Sequence, residues 1–300
     1  MNIRVNTGKY VVAVSGGVDS VVLLDLLAKK PKLELVVAHF DHGIREDSAE
    51  DRMLVQKLAG HYGLPVVYRS GKLGPDASEA TARDARYKFL RQVMSEHGAR
   101  AIITAHHQDD MLETAILNML RGTGRKGLSS LVSTKELVRP LLQWTKGDIL
   151  AYAREHNLAW YEDSTNADER YLRNYIRKHI MSRFTAPDRE DLLRRVENAG
   201  KINAQIDHLL EEDLAKQPAG DELDRGWYLQ LPFSVAKEMM AAWLRRNGIA
   251  HFDRALLEHL VIAAKTAAPG KLADVDARHR LSLGKQNIKL EPRPRSEKSV

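Results

Sequence analysis

The feature that most constrains the fold is an alternation in the first half of the chain between short β-branched runs and longer amphipathic stretches. Tyr10–Ser15, Leu33–Asp41, Pro65–Arg69 and Ala101–Ala105 are rich in Val, Ile or Leu and are bounded by Gly, Pro or charged residues. Runs without polar alternation suit strands buried on both faces, and parallel strands need helical crossovers between them. The intervening stretches, Ser20–Lys30, Asp47–Gly63, Ser78–His97 and Asp109–Leu120, have helical patterns. The first carries Leu23, Leu24, Leu26 and Leu27 as an apolar face, and Pro31 stops it. The expected fold is α/β: a Rossmann-like parallel sheet with helices on both faces, followed by a smaller, mainly helical second domain.

A short strand at Leu137–Leu141 and a helix from the N-cap Thr145, with Asp148 three residues on, to about His156 extend the first domain, which is expected to span 1–185. Residues 186–218 read as a charged helical linker ending at Pro218-Ala219-Gly220. A C-terminal domain is expected over 219–291, with helices at Pro232–Asn247 and Asp253–Lys265. A small sheet of Lys271–Val275, Arg278–Leu283 and Gln286–Leu290 would complete it. The tail 292–300 has little to pack and is expected to be disordered.

No run approaches the ~18 apolar residues of a membrane span, and the N-terminus lacks secretory features, so a cytoplasmic protein with no membrane partner is expected. The chain has 46 Lys and Arg against 40 Asp and Glu, a net charge of +6, which favours a polyanionic partner. It has no cysteine, which excludes disulfides, thiolate metal sites and cysteine nucleophiles on this chain.

The first strand runs into Ser15-Gly16-Gly17-Val18-Asp19-Ser20 and directly into a helix. Strand, glycine turn and helix N-terminus together offer backbone N–H groups and a positive dipole end to phosphate. Ser15 and Ser20 add hydroxyls, and Asp19 could hold Mg²⁺ against the phosphates. Neither G-x-x-x-x-G-K-[ST] nor G-x-G-x-x-G is present there. Two further clusters follow strands. His39-Phe40-Asp41-His42-Gly43-Ile44-Arg45 ends the second, beside Ala38, and Thr104-Ala105-His106-His107-Gln108-Asp109-Asp110-Met111-Leu112-Glu113-Thr114 follows the fourth. Ligands of open α/β sheets bind at that edge. Asp109, Asp110 and Glu113 can share a helical face. A zinc site is a competing reading of the His and acid cluster, but H-E-x-x-H spacing is absent.

Ser-Gly-Gly-Val-Asp-Ser resembles the pyrophosphate loop of the N-type ATP pyrophosphatases, which implies ATP as cofactor and AMP and pyrophosphate as products. Within that superfamily the chain resembles the tRNA(Ile)-lysidine synthetases, short form, with one helical second domain. Besides SGGVDS, the resemblance rests on HFDHGIR, ARDARY at Ala82–Tyr87, HHQDDMLET, LNMLRGTGRKGLSSL at Leu117–Leu131, RPLL at Arg139–Leu142 and EDSTNADERYLRNYIR at Glu162–Arg177. Ile44 and Met111 depart from the usual leucine and glutamine. The absence of cysteine separates this reading from the related sulfur-inserting thiolases.

The resemblance implies ATP and Mg²⁺, free L-lysine, and an isoleucine tRNA with a CAU anticodon; a homodimer is compatible with it. The wobble cytidine would be adenylated on O2 and then attacked by the lysine ε-amine. An amine of pKa near 10.4 needs a base at pH 7. Asp110 is expected to be that base, with Asp109 and Glu113 helping to hold lysine and Asp19 serving the phosphates and metal. His39, Asp41, His42, His106 and His107 are expected in the site, and Arg83 and Arg86 near phosphate or the lysine carboxylate. Residues 170–186 carry Arg170, Arg173, Arg177, Lys178 and Arg183 without an acid, interleaved with Asn174 and Tyr175, and suit RNA phosphate. Arg121 and Arg125 in a basic loop, expected to be mobile and near the acid cluster, are a second RNA candidate. Arg194, Arg195, Arg245 and Arg246 are a third. An ammonia-dependent amidating ligase and a tRNA-binding module with a degenerate nucleotide site are the competing functional readings.

Overall fold

In the computed structural model the alternating half of the chain forms a five-stranded, all-parallel sheet, with β1 (Gly8–Ala13), β2 (Leu33–Asp41), β3 (Val66–Ser70), β4 (Ala101–Ile103) and β5 (Leu137–Val138) in the order β3-β2-β1-β4-β5. The structure describes residues 1–43, 48–71, 73–74, 79–161, 172–218, 220–249 and 251–293. Ile44, Arg45, Arg170, most of the 162–177 motif and the tail from 294 lie outside the described residues.

Period-two geometry divides the strands between two cores. Val12, Val37 and Ile103 point to one face, under α1 (Val18–Ala28) and α5 (Lys146–Glu155), whereas Val11, Val36 and Ile102 point to the other, under α3 (Glu79–Glu96). The remaining crossover helix before β3 is α2 (Ser48–His61), and α4 (Gln108–Leu120) follows β4. The strand order reverses about β1, so the loops after β1 and β4 part at the carboxyl edge of the sheet. That is the position for a ligand crevice.

The expected one-sided apolar face on α1 is corrected: every residue from Ser20 to Leu27 is buried. A buried helix must satisfy a buried charged residue internally. Asp25, 3% exposed, accepts from Tyr62 Oη at 2.7 Å, Tyr152 Oη at 2.6 Å and Lys29 Nζ at 2.7 Å, which ties α1 to α2 and α5.

After α5 come α6 (Leu172–Tyr175), a π-helical turn at Ile176–Ile180, a 3₁₀ turn at Met181–Arg183, and the long helix α7 (Ala186–Ala215). The chain divides into two compact units, 1–200 and 201–300, within α7. The first unit passes the expected boundary at 185 because Leu192, Leu193 and Val196 pack with Met111 and Ala115 of α4. In the second unit the expected helices are present as α9 (Phe233–Arg246) and α10 (Arg254–Thr266), the latter capped by Asp253. The expected strands are β7 (Lys271–Asp274), β8 (His279–Leu283) and β9 (Asn287–Pro292). A three-residue strand, β6 (Glu222–Asp224), and a six-residue helix, α8 (Arg225–Gln230), were too short to show a period; β6 completes an antiparallel sheet ordered β6-β9-β8-β7.

Candidate active site

The pyrophosphate loop leaves β1 through Gly16, whose φ of +99° is a glycine conformation, and a Cβ there would come within 3.2 Å of Asp51 Oδ1. The Ser20 hydroxyl organises the loop from inside. Its oxygen accepts from Ser15 N–H at 3.1 Å and Gly16 N–H at 3.2 Å, and it donates to Gly17 O at 2.8 Å. The Ser15 and Gly16 N–H groups, expected to await phosphate, are therefore both held by the Ser20 hydroxyl. The Tyr161 N–H donates to Gly16 O at 3.1 Å.

A cavity of about 370 Å³ opens over this loop at the carboxyl edge of the strands. Ser15, Gly17, Asp19 and Ser20 form one wall, with Ala38, His39, Asp41 and His42 from the end of β2. Arg86, His106, Asp110 and Asp51 close it. His39 is buried, with Nδ1 2.8 Å from Val14 O and its ring stacked on Tyr68. Asp41 Oδ1 accepts from Gly43 N–H at 2.7 Å, and Tyr68 donates to its Oδ2 at 3.2 Å. His106 Nδ1 lies 2.8 Å from Thr104 Oγ1; burial, then the charges of Arg139, Arg86, Arg83 and Arg173, push its pKa well below the ordinary histidine value, so the ring is neutral at pH 7.

A second cavity, about 460 Å³, is lined by Asp19, His107, Asp109, Asp110, Glu113 and Lys146 on one side and by Arg173, Asn174, Arg177 and Arg189 on the other. Asp19 and Asp110 belong to both linings. The acids at the start of α4 differ in their partners. Glu113, 1% exposed, is held by a two-pronged Arg177 fork, Nε to Oε1 at 2.7 Å and Nη2 to Oε2 at 3.0 Å. Burial pushes the Glu113 carboxyl up, against the pull of Arg177. Asp109 accepts from Lys146 N–H at 2.8 Å and from Arg189 Nη1 at 2.5 Å; these outweigh its burial and hold its carboxyl below the usual range. Asp110 accepts from the His107 N–H at 3.0 Å and stands 3.8 Å from Arg177 Nη2. The His107 ring lies within 3.5–3.8 Å of Asp19, Asp109 and Asp110.

The PP-loop domain model matches residues 2–184. The chain belongs to the PP-loop domain family. Its relatives include a tRNA(Ile)-lysidine synthase of Thermotoga sp. (strain RQ2), 36% identical over 77% of this chain and 57% of that protein. One of Thermus thermophilus is 36% identical over 95% of this chain and 57% of that protein. The chain thus spans little more than half the length of these relatives. Among solved structures, the U34-tRNA thiolase NcsA from Methanococcus maripaludis with its [4Fe-4S] cluster matches with a TM-score of 0.52 at 18% identity, covering 65% of this chain and 73% of that one, which establishes the shared fold.

The PP-loop chain gathers most of the expected residues, and the others lie elsewhere for structural reasons. Val18 is buried in the core beneath the loop. Arg83 lines neither cavity and lies over the Tyr87 ring at 4.8 Å. Arg177, expected on RNA phosphate, has Glu113 as its partner. Lys178 lines neither cavity. Arg121 and Arg125 follow the far end of α4, Arg121 being about 16 Å along the axis from Asp110, so the expected nearness to the acid cluster is corrected. Asn118 tethers that loop through Gly127 O and Ser130 Oγ. Arg194 and Arg195 pair with Asp191, and Arg245 lies over Phe252. Met111 packs with Ala115, Leu131 and Val196.

Sequence reasoning missed Asp51, Lys146 and Arg189. Lys146 Nζ donates to Asp19 Oδ1 at 2.6 Å. Asp51 and Arg189 lie in charged helical runs, Glu50-Asp51-Arg52 and Asp188-Arg189-Glu190-Asp191, that read as solvated faces, and Lys146 stands outside any polar cluster; they reach the site from α2, α7 and α5. No helix among the described residues is long and apolar enough to cross a membrane. No group of three or more His, Asp or Glu among them is arranged to hold a metal alone. Magnesium bound through phosphates needs only one or two carboxylates, and Asp19, beside the loop and already facing a cation, fits that role.

Proposed function

We propose that the chain is an ATP-dependent ligase that joins free L-lysine to the wobble cytidine of an isoleucine tRNA with a CAU anticodon, forming lysidine. The observation that carries this reading is that Asp19 and Asp110 face both cavities. ATP over the loop would then meet a second substrate across the same carboxylates. The lysidine-forming relatives support the choice of substrate.

In the first step cytidine O2 attacks the α-phosphorus of ATP, the bond to the β-phosphate bridging oxygen breaks, and pyrophosphate leaves. The Ser15–Ser20 loop orients the phosphates, and Mg²⁺ held at Asp19 would supply charge neutralisation when bound. In the second step the lysine ε-nitrogen attacks C2, the C2–O bond to the adenylate breaks, and AMP leaves. Asp110 takes the proton from the ammonium. Asp109 and Glu113, each fixed by an arginine, define the acidic wall around it. His39, Asp41, His42, His106 and His107 shape the edges of the two cavities, and Arg173 and Asn174 face the RNA. Arg86 faces phosphate, with Arg83 beside it, while Arg121, Arg125 and Lys178 contribute longer-range attraction to the tRNA. The proposed roles are catalysis for the first domain, with the start of α7 packed on it to 200, a helical linker to 218 and tRNA binding to 291.

Incubation with ATP, isotopically labelled lysine and isoleucine tRNA transcript, followed by nucleoside mass analysis, tests the reading. Label in the wobble cytidine is expected, with pyrophosphate released. Labelled ammonia incorporated in place of lysine would favour an amidating ligase, and absence of tRNA-dependent pyrophosphate release would favour a binding module.

A further inference from the structure

Lys146 opens α5, and its backbone is fixed there from two sides. Its N–H donates to Asp109 Oδ2 at 2.8 Å, and the preceding Thr145 exchanges capping hydrogen bonds with Asp148. The side chain is 40% exposed and ends 2.6 Å from Asp19 Oδ1, in the wall of the second cavity. Asp19 itself is 30% exposed and faces the nucleotide cavity as well. An ammonium and a divalent ion drawn to the same small carboxylate repel one another. A divalent cation held by Asp19 would compete with the Lys146 ammonium for that carboxylate.

We propose that Lys146 and the divalent cation of the nucleotide are alternative partners of Asp19. The inference rests on the reading of Asp19 as the carboxylate that faces a nucleotide-bound metal. In the nucleotide-free site Lys146 compensates the Asp19 charge and keeps α1 and α5 in register. When metal and nucleotide enter, the ammonium is released into the second cavity, and it returns when they depart. Lys146 is thus a positioning residue that sets the metal requirement of the site through Asp19.

The test is Mn²⁺ binding in the presence of α,β-methylene-ATP, which cannot release pyrophosphate, followed by the electron paramagnetic resonance signal of free Mn²⁺. Wild type, Lys146→Met, Lys146→Arg and Asp19→Asn are compared, with thermal unfolding as a check that each is folded. Removing the competing ammonium should tighten Mn²⁺ binding in Lys146→Met by roughly fivefold, the scale of a partly exposed ion pair. Lys146→Arg should stay within about twofold of wild type, and Asp19→Asn should bind at least about tenfold more weakly. Binding in Lys146→Met that is unchanged or weaker, with Asp19→Asn still impaired, would overturn the exchange and leave the metal role of Asp19 standing. Wild-type affinity in Asp19→Asn would overturn the metal role and the exchange with it.

Discussion

Asp110 stands apart from Asp109 and Glu113 in how little holds it. Glu113 is gripped by Arg177 and Asp109 by Arg189 and a helix N–H, whereas Asp110 receives one backbone N–H, with the His107 ring at 3.5 Å and Arg177 no nearer than 3.8 Å. A carboxylate in that state can meet an incoming ammonium without first losing a hydrogen-bonded arginine. Asp110→Asn should therefore lower the rate of lysidine formation by about 10²–10⁴-fold while ATP binding is kept, as read by single-turnover nucleoside analysis and nucleotide titration. His106 has the opposite design. Its folded pKa lies below the unfolded value of about 6.5, so its contribution to stability is fully present above that pH and is lost as pH falls towards the folded value. Ring resonances of His106 that titrate normally between about pH 6 and about pH 7 would contradict this. The acidic residues were legible because three of them, with two histidines, fall within the eight positions from His106 to Glu113. Lys146 and Arg189 were not, since each is one charge among several on its helix and only packing decides which of them turns to the site.

At the scale of elements, the cap of α5 and its last turn lie where the sequence placed them: Thr145 accepts from the Asp148 N–H and Asp148 returns the bond, a local exchange needing no distant partner. The burial of α1 was not legible, because Leu23, Leu24, Leu26 and Leu27 read as one stripe while the residues between them are covered by neighbours far along the chain. Asp25 reports on that covering. Burial alone would push its carboxyl up, but hydrogen bonds from Lys29, Tyr152 and Tyr62 outweigh it and hold the pKa below the ordinary value. Its stabilising contribution is present above the unfolded aspartate pKa and is lost as pH falls through the lower folded value. Asp25→Asn should cost about 3 kcal/mol, the scale for breaking a buried charged network, and should flatten the acid limb of stability in denaturant titrations below about pH 4.

For the whole molecule, the excess positive charge bears on how a large polyanion reaches an acidic cavity. Arg177 and Arg189 neutralise Glu113 and Asp109, so the second cavity is a mixed surface and not a basic groove. On the proposed function, attraction of tRNA rests on Arg173 at the cavity and on cations outside it. With about four phosphate contacts, affinity for tRNA should fall roughly fiftyfold between about 50 and about 200 mM salt in filter-binding measurements, whereas a flat response would contradict phosphate contacts. The sequence by itself determined the parallel sheet, the phosphate loop and the acid cluster, because strand periodicity, glycine conformation and caps act within a few residues. Only the tertiary structure decided which acid stays available, which cation faces Asp19 and that two cavities share the same carboxylates. Those outcomes depend on where helices separated by tens of residues come to rest, and a linear pattern of side chains does not encode that distance directly.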